Sequence, residues 1–524
     1  MSTPVRPLQK VLIANRGEIA LRILLGAREL GMEVVGVYSS ADVHLPHLSQ
    51  CDETYEIGPP PSAESYLVME KLIDVAKKSG CDCVHPGYGF LAESSDFARK
   101  VEAAGLVWVG PNPRAIDMMG DKIESKRLMA EAGVPTIPGF TAKIGDDEFN
   151  RSEANRVGYP LLVKPTAGGG GKGMQVVYDE KELLGTLEAS EEMAIKAFGR
   201  GGLLVERYLQ EPRHIEVQVL GDKHGNVIHC LERECSIQRR QQKLIEECPS
   251  PFVGPELREK ICAAGVEAGR ACGYDSAGTV ECLVDGKTGE FFFLEMNTRL
   301  QVEHPVTEAV TGIDLCQSMF RVAAGEELWI KQDDVKINGH AIEARIIAED
   351  PFTNFMPSFG MLTAFDQPTG PFIRVDAGFQ RGTEVSQYYD SLIAKLITWG
   401  RDRPRAIRRM LNALDRFQIL GPQTCIPFHK RMFQHESFVS GKFDVHTCER
   451  LMKEGLMNKT EKELDIAAAL ALAVDVMDLK PRRASAAAVS AASGGSDGAD
   501  PSSRPAERTL WKYAARPSTL RDLK

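Results

Sequence analysis

The stretch FFFLEMNTRLQVEHPVTE, residues 291–308, restricts the fold more than any other part of the chain. Glu295, Asn297, Arg299, Gln301 and Glu303 fall at every second position, with Met296, Leu300 and Val302 between them. Side chains of a strand alternate between its two faces, so this spacing predicts a strand with a polar side and an apolar side facing the core. A half-exposed strand could carry the same pattern, its Glu–Arg–Glu charges neutralising one another in water. The apolar opposite face argues instead that the polar surface sits inside a cleft. Upstream, GTVECLV reads as the hairpin partner, turning at Asp285–Gly289, and sets Glu281 beside Glu295. Oxygen ligands gathered in this way suit Mg²⁺ bridging to phosphates. The planar fork of Arg299 suits a small oxyanion.

A second signal is KPTAGGGGKGM, residues 164–174, which lies between two predicted strands, Leu161–Lys164 and Met174–Tyr178. Consecutive glycines let the backbone approach a ligand and offer N–H donors to phosphate. The loop is not a Walker A motif: Gly173 follows Lys172 where Ser or Thr is needed, and Thr166 stands where Gly is needed. A floppy hairpin is the bland alternative, but four glycines are costly to order, which favours a loop kept for anion contact. Lys164 ends the strand before the loop, and Lys122 lies in GDKIESK. Each alone reads as a solvated lysine, whereas together they could supply point charges to a triphosphate. A third patch, ECSIQRRQQKLIEE, concentrates Arg239, Arg240 and Lys243 beside Gln238, Gln241 and Gln242.

The rest of the chain supplies the setting. KVLIA at Lys10–Ala14 reads as a buried strand, followed by Gly17, a helix over Ile19–Leu30 and a strand over Glu33–Tyr38. This order predicts a right-handed βαβ unit in a parallel sheet. The turn, ANRGE, lacks the dinucleotide fingerprint, so NAD is not expected. A further helix and strand lead to HPGYGF, and Val107–Val109 is the next strand. Beyond about Gly120 the strands become longer and more closely paired: Leu203–Tyr208, His214–Leu220, Val227–Glu232, Thr279–Val284 and Phe291–Met296. Ile261–Ala271 reads as a helix, and His340 to about Cys448 as a further unit. At 524 residues, with 43% hydrophobic and 26% charged side chains, the chain matches about three packed units. Its net charge of -10 argues against nucleic acid as a partner. None of the twelve cysteines forms a C-x-x-C pair, so zinc-ribbon and thioredoxin chemistry are not expected, and Cys81 and Cys83 read as small buried hydrophobes. The N-terminus lacks the apolar core of a signal peptide, and no apolar run is long enough for a membrane span, which makes the cytoplasm the expected location.

Taken together, ANRGEIALRI, HPGYGFLAE, MGDKIESK, GGGGKGM, EMNTRLQVEHPVTE and EDP resemble the biotin carboxylase family, over about residues 8–450. The resemblance implies an α/β and α+β multidomain fold: a Rossmann-like N-terminal layer (1–119), a central ATP-grasp (120–335) and a C-terminal biotin carboxylase lobe (336–450). A helical extension (451–481), an Ala/Ser/Gly-rich linker (482–505) and a possible docking segment with Leu510, Trp511 and Tyr513 (506–524) would follow. The implied activity is a ligase reaction, ATP- and bicarbonate-dependent carboxylation of biotin through carboxyphosphate. ATP and Mg²⁺ (or Mn²⁺) are the expected cofactors. Biotin is expected as a substrate on a separate carrier protein, since no A-M-K-M acceptor motif occurs in this chain. A biotin carboxyl carrier protein and carboxyltransferase subunits are the expected partners, with a homodimer as the expected assembly.

Carried over residue by residue, nucleotide contacts fall at Lys122, Lys164, Gly170, Gly171, Glu206, Arg207, Tyr208, Leu209, His214, Gln238 and Gln241. Metal ligands fall at Glu281, Glu295 and Asn297, and the bicarbonate pocket at Lys243, Arg299, Gln301 and Val302. Glu303 matches the general base, and Arg345 the arginine that stabilises the biotin enolate. Gln241 departs from the pattern, since many members carry His there, and a Gln hydrogen-bonds without titrating. Another ATP-grasp ligase, of carbamoyl-phosphate or purine-pathway type, would share the metal acids and lysines but would not need the R-x-Q-x-E set or Arg345. A non-catalytic nucleotide-binding subunit should have lost a metal acid, and none is lost here.

Overall fold

The structure, a computed structural model, describes residues 5–166, 173–198 and 201–459. Gly170 and Gly171, the 482–505 linker, the 506–524 segment and most of the 451–481 extension lie outside the described residues. In the N-terminal layer, strands β1 (Lys10–Ile13), β2 (Glu33–Ser39), β3 (Glu53–Gly58), β4 (Cys83–His85) and β5 (Val107–Trp108) form one sheet in the order β3-β2-β1-β4-β5. Every pairing in it is parallel. Helix α1 (Gly17–Glu29) makes the β1–β2 crossover that the βαβ reading predicts. The edge strand β3, ETYEIG, was not anticipated, because its half-exposed residues carry no continuous apolar run. The turn after β1 is held from below: Asn15 Nδ2 donates to the carbonyls of Pro86 and Tyr88, both at 2.7 Å. Gly87 there has φ +68°, and a Cβ would meet Ile19 Cγ1 at 2.9 Å, so glycine is needed for conformation and for space.

Beside three two-stranded sheets, two larger antiparallel sheets follow. The small one contains β6 (Gly139–Thr141), β7 (Leu161–Pro165), β8 (Gln175–Val177) and β9 (Leu203–Arg207), in the order β6-β9-β7-β8. The large one has eight strands, led by β10 (Pro212–Gly221), β11 (Val227–Arg239), β12 (Gln242–Cys248), β13 (Ser276–Asp285) and β14 (Phe291–Asn297). Helix α2 (Pro255–Ala271) packs against β10 and β11, and starts six residues before the predicted Ile261 because Pro255 fits its first turn. Strands β15 (His340–Ile347), β16 (Ile373–Ala377) and β17 (Leu392–Gly400) continue the same sheet, in the order β14-β13-β10-β11-β12-β15-β17-β16. Helix α3 (His304–Thr311) lies against β11 and β15. All twelve cysteines are free, and Cys81 and Cys83 are buried. Among the described residues no helix is long and apolar enough to cross a membrane.

Buried ions tie α1 to the far end of the large sheet. Glu18 and Arg22 of α1 meet Lys395 of β17 at 3.2 Å and Glu308 of α3 at 2.7 Å. Arg374 of β16 bonds the other oxygen of Glu308, also at 2.7 Å, and pairs with Asp376. One acid in this region has no such support. Glu343 of β15 is fully buried, stands directly opposite Glu246 of β12, and has no hydrogen bond to either oxygen among the described residues. Burial pushes the Glu343 carboxyl well above the usual carboxylate range. Lys395 and Arg345 oppose that rise, while Glu246 and Glu303 add to it. Burial likewise pushes Glu246 up to about 7. Like charges facing each other across strands are unfavourable, so Glu343 is held neutral beside Glu246.

A carboxyl raised by folding stabilises the protein below the ordinary carboxylate range, and that contribution is lost as pH rises. Glu343→Gln keeps the shape and removes the titration. Its thermal unfolding temperature is therefore expected to gain on the parent protein between pH 5 and pH 8. The limit is about 1.4 kcal/mol per pH unit for one group. A difference between the two proteins that stays constant over that range would show that Glu343 does not carry the linkage.

Candidate active site

The three larger sheets enclose one cavity of about 1550 Å³. Its floor is the large sheet, one wall is the small sheet, and the turn after β1 reaches it from the carboxyl ends of the parallel strands, where open α/β sheets bind ligands. The register of β13 and β14 sets Glu281 directly opposite Glu295, as the hairpin reading predicts. The strand reading fails beyond Asn297. β14 ends there, Arg299 and Gln301 lie in a loop, and Glu303 is the residue just before α3, with no capping bond from its side chain. The reason is position. β14 is the edge strand, four places from β12, and a chain that stayed extended would carry Glu303 along that edge. By leaving the sheet it turns Glu303 back to Lys243 of β12. Leu300 stays in the core as expected, whereas Val302 is half-buried and lines the cavity.

Lys243 is the hub. Its Nζ donates to Glu216 Oε2 at 2.6 Å, Glu281 Oε1 at 2.8 Å and Glu303 Oε1 at 2.7 Å. Burial opposes its charge, but these three carboxylates outweigh burial and hold the amine well above its usual range. Glu303 is fully buried, and its other oxygen accepts from Arg345 at 3.0 Å. Burial alone would raise its carboxyl, yet Lys243, Arg345 and Arg233 together hold it well below the usual range. Arg345 also donates through Nε to Glu246 at 2.6 Å. Glu281 accepts from Asn297 Nδ2 at 2.9 Å and Gln301 Nε2 at 3.3 Å, with His214 Nε2 at 3.3 Å from its second oxygen. Arg299 reaches Asn297 Oδ1 at 3.0 Å, Gln301 Oε1 at 3.2 Å and Glu93 at 2.9 Å. Glu281, Glu295 and Asn297 thus present oxygen atoms on neighbouring strands of the cavity floor, a donor set that fits a hard divalent cation.

The other end of the cavity is built from the small sheet. Lys164 of β7 and Lys126 both grip the buried Glu206 of β9, and Lys122 stands 3.7 Å from Glu295. Arg207, Tyr208, Leu209, His214 and Gln238 line the same space. Gln241 does so from a tight β11–β12 turn in which Arg240 and Gln241 both take positive φ, +49° and +68°. Of the predicted residues within the described chain, all but Glu303 line the cavity, and Glu303 stands one side chain behind it. Sequence reasoning missed three partners: Glu216, which joins Lys243 to the fully buried Arg233 at 2.5 Å; Arg233 itself; and Glu246 behind Arg345. A signal for Glu216 was present, since His214, Glu216 and Gln218 alternate with the apolar Ile215, Val217 and Val219 along the strand.

This arrangement has known counterparts. Residues 7–116 match the family model described as biotin carboxylase, N-terminal domain. Residues 121–331 match the ATP binding domain of the carbamoyl-phosphate synthase L chain, and residues 343–450 the biotin carboxylase C-terminal domain. The chain is 49% identical over 442 residues to biotin carboxylase 1 of Bacillus subtilis, covering 84% of this chain and 98% of that protein. It is 48% identical over 456 residues to a pyruvate carboxylase subunit of Methanothermobacter thermautotrophicus, covering 87% and 92%. A solved structure of the biotin carboxylase domain dimer of Hydrogenobacter thermophilus 2-oxoglutarate carboxylase, in complex with MgADP, ADP and bicarbonate, superposes with a TM-score of 0.78. It shares 45% identity and covers 87% of this chain and 99% of that one. A cavity floored by paired acids, a lysine bound to three carboxylates and an arginine behind them, in a chain with these relatives across most of its length, belongs to a member of the biotin carboxylase family.

Proposed function

We propose that this chain carboxylates biotin, using ATP and bicarbonate, as the first half-reaction of a biotin-dependent carboxylase. The carrying observation is the Glu303–Lys243–Arg345 contact set, which Lys243 joins directly to Glu281 of the Glu281–Glu295 pair. Bicarbonate is a poor nucleophile until its proton is removed. Lys243 and Arg299 would hold it as an anion, with Gln301 and Val302 shaping the pocket. The cations that depress the proton affinity of Glu303 also favour the deprotonated form of a bound bicarbonate. Lys243 and Arg345 each donate to one oxygen of Glu303, and a carboxylate keeps further lone pairs with which Glu303 would take the proton.

Glu281, Glu295 and Asn297 would hold Mg²⁺, which neutralises phosphate charge during phosphoryl transfer. Lys122, Lys164 and His214 would position the nucleotide, with Glu206 fixing the direction of Lys164. A bicarbonate oxygen bonds to the γ-phosphorus as ADP leaves, giving carboxyphosphate. Its breakdown releases CO2 and phosphate, and the phosphate can accept the N1′ proton of biotin as N1′ attacks CO2. Arg345 would stabilise the negative ureido oxygen that this creates, as an oxyanion donor does.

Biotin would arrive on a separate carrier protein and leave for a carboxyltransferase subunit. Relatives that share this fold are named for pyruvate and 2-oxoglutarate, which supports a choice of acceptor made outside this cavity. The dimer of the Hydrogenobacter domain supports a homodimer here. Following ADP release with ATP, bicarbonate and free biotin tests the activity itself. ADP formation that does not depend on biotin or bicarbonate would instead favour another ligase of the ATP-grasp kind.

Glu303→Gln is expected to lower bicarbonate-dependent ATP cleavage by about 100-fold or more, with nucleotide affinity near normal. Unchanged turnover would remove Glu303 from the role of base. Arg345→Ala should cost biotin carboxylation about 100-fold, the typical worth of an oxyanion donor. ATP cleavage should fall less, because Glu303 keeps its second cation, Lys243. Equal loss of both rates would instead place Arg345 in carboxyphosphate formation.

A further inference from the structure

Arg345 is held from behind by a pair of side chains that take no part in the chemistry above. β12 pairs with β15 only as far as Ala344, leaving the backbone after it without its β12 partner. The start of helix α4 (Ile426–Gln434) takes over that edge. The Cys425 N–H donates to the Ile347 carbonyl at 3.1 Å, and the Ile347 N–H donates to Cys425 Sγ at 3.3 Å. The Arg345 carbonyl accepts from His429 Nε2 at 2.7 Å and from Cys425 Sγ at 3.1 Å. A carbonyl can only accept, so His429 carries its proton on Nε2. Its Nδ1 is buried and has no partner among the described residues. Burial pushes the imidazole down to about 4 and the thiol up to about 12, so the pair is uncharged and acts purely as hydrogen-bonding groups.

We propose that Cys425 and His429 are positioning residues: they fix the backbone of Arg345, and through it the guanidinium at the cavity wall. The inference rests on the reading of Arg345 as the group that stabilises biotin. The contacts close both acceptor positions of a carbonyl whose own side chain is the reacting cation, next to the irregular pairing of Ile346 and Ile347 with β17. A strand edge released there would let Arg345 rotate away from Glu303 and Glu246, and small misplacements of a charged donor are costly to rate.

The test compares His429→Leu, His429→Gln and Cys425→Ala with the parent enzyme. The readouts are free-biotin carboxylation (kcat and KM), bicarbonate-dependent ATP cleavage without biotin, and thermal unfolding. His429→Leu is expected to lower kcat/KM for biotin about tenfold while ATP cleavage changes by less than about twofold. His429→Gln, which keeps a side-chain donor, should recover most of the loss, and Cys425→Ala should show a smaller loss of the same kind. Parallel loss of both rates without rescue by Gln, or no change in either, overturns the proposal. If His429→Leu does not fold, Cys425→Ala decides by the same split. Arg345→Ala run alongside separates the two ideas: uncoupling there without uncoupling in the His429 and Cys425 variants refutes the positioning role alone, whereas parallel loss in Arg345→Ala refutes the reading beneath it.

Discussion

The site depends on one buried charge balance. Lys243 binds Glu216, Glu281 and Glu303 at once, Arg233 binds Glu216, and Arg345 binds Glu303 and Glu246. Three cations face three carboxylates, with Glu246, pushed up to about 7, as the adjustable fourth. A buried ion set of this kind adds little net stability, but breaking one member strands the others, at about 3–5 kcal/mol. Its value lies in geometry. Each cation is held in place by its carboxylate partners, so the cavity meets its ligands with charges already oriented.

That balance explains features that look irregular in isolation. The departure of the chain from β14 after Asn297 brings Glu303 from an edge strand back to the middle of the sheet. The eight-stranded sheet is continuous from β14 to β16, so the strands bearing Lys243 and Arg345 are neighbours although their residues lie about a hundred positions apart. Lys395 on β17 supports the same loop from the other side, donating to the Val302 carbonyl at 2.9 Å while pairing with Glu18 of α1. The parallel layer is thereby fixed to the catalytic floor through buried ions as well as through packing.

Burial also sorts the titratable groups by task. Glu303, ringed by cations, is held well below the usual carboxylate range, and Glu343, two residues from Arg345 and unbonded, is pushed well above it toward the neutral form. Two glutamates within one network are driven in opposite directions by nothing more than their nearest partners. The neutral acid spares Arg345 a further competing anion, leaving its charge directed toward Glu303 and the cavity.

Much of this was legible in the sequence. The hairpin reading brought Glu281 beside Glu295, but their direct pairing depends on a one-residue shift in register between Glu281 and Cys282, which alternation alone does not reveal. The βαβ order determined the parallel layer, and the motifs determined the family. The alternation misled from Arg299 onward: periodicity records which side chains are polar, and an extended strand and a loop crossing a charged cavity can show the same pattern. Arg233 and Glu246 were hidden for a related reason, since in isolation each is one more charge on a strand, and the alternation that marked Glu216 did not name its partners. Only the tertiary structure brought Lys243 to Glu303 and placed Cys425 and His429 behind Arg345. Such contacts join positions far apart in the chain, and their energies exist only after the low-dielectric interior has formed around them.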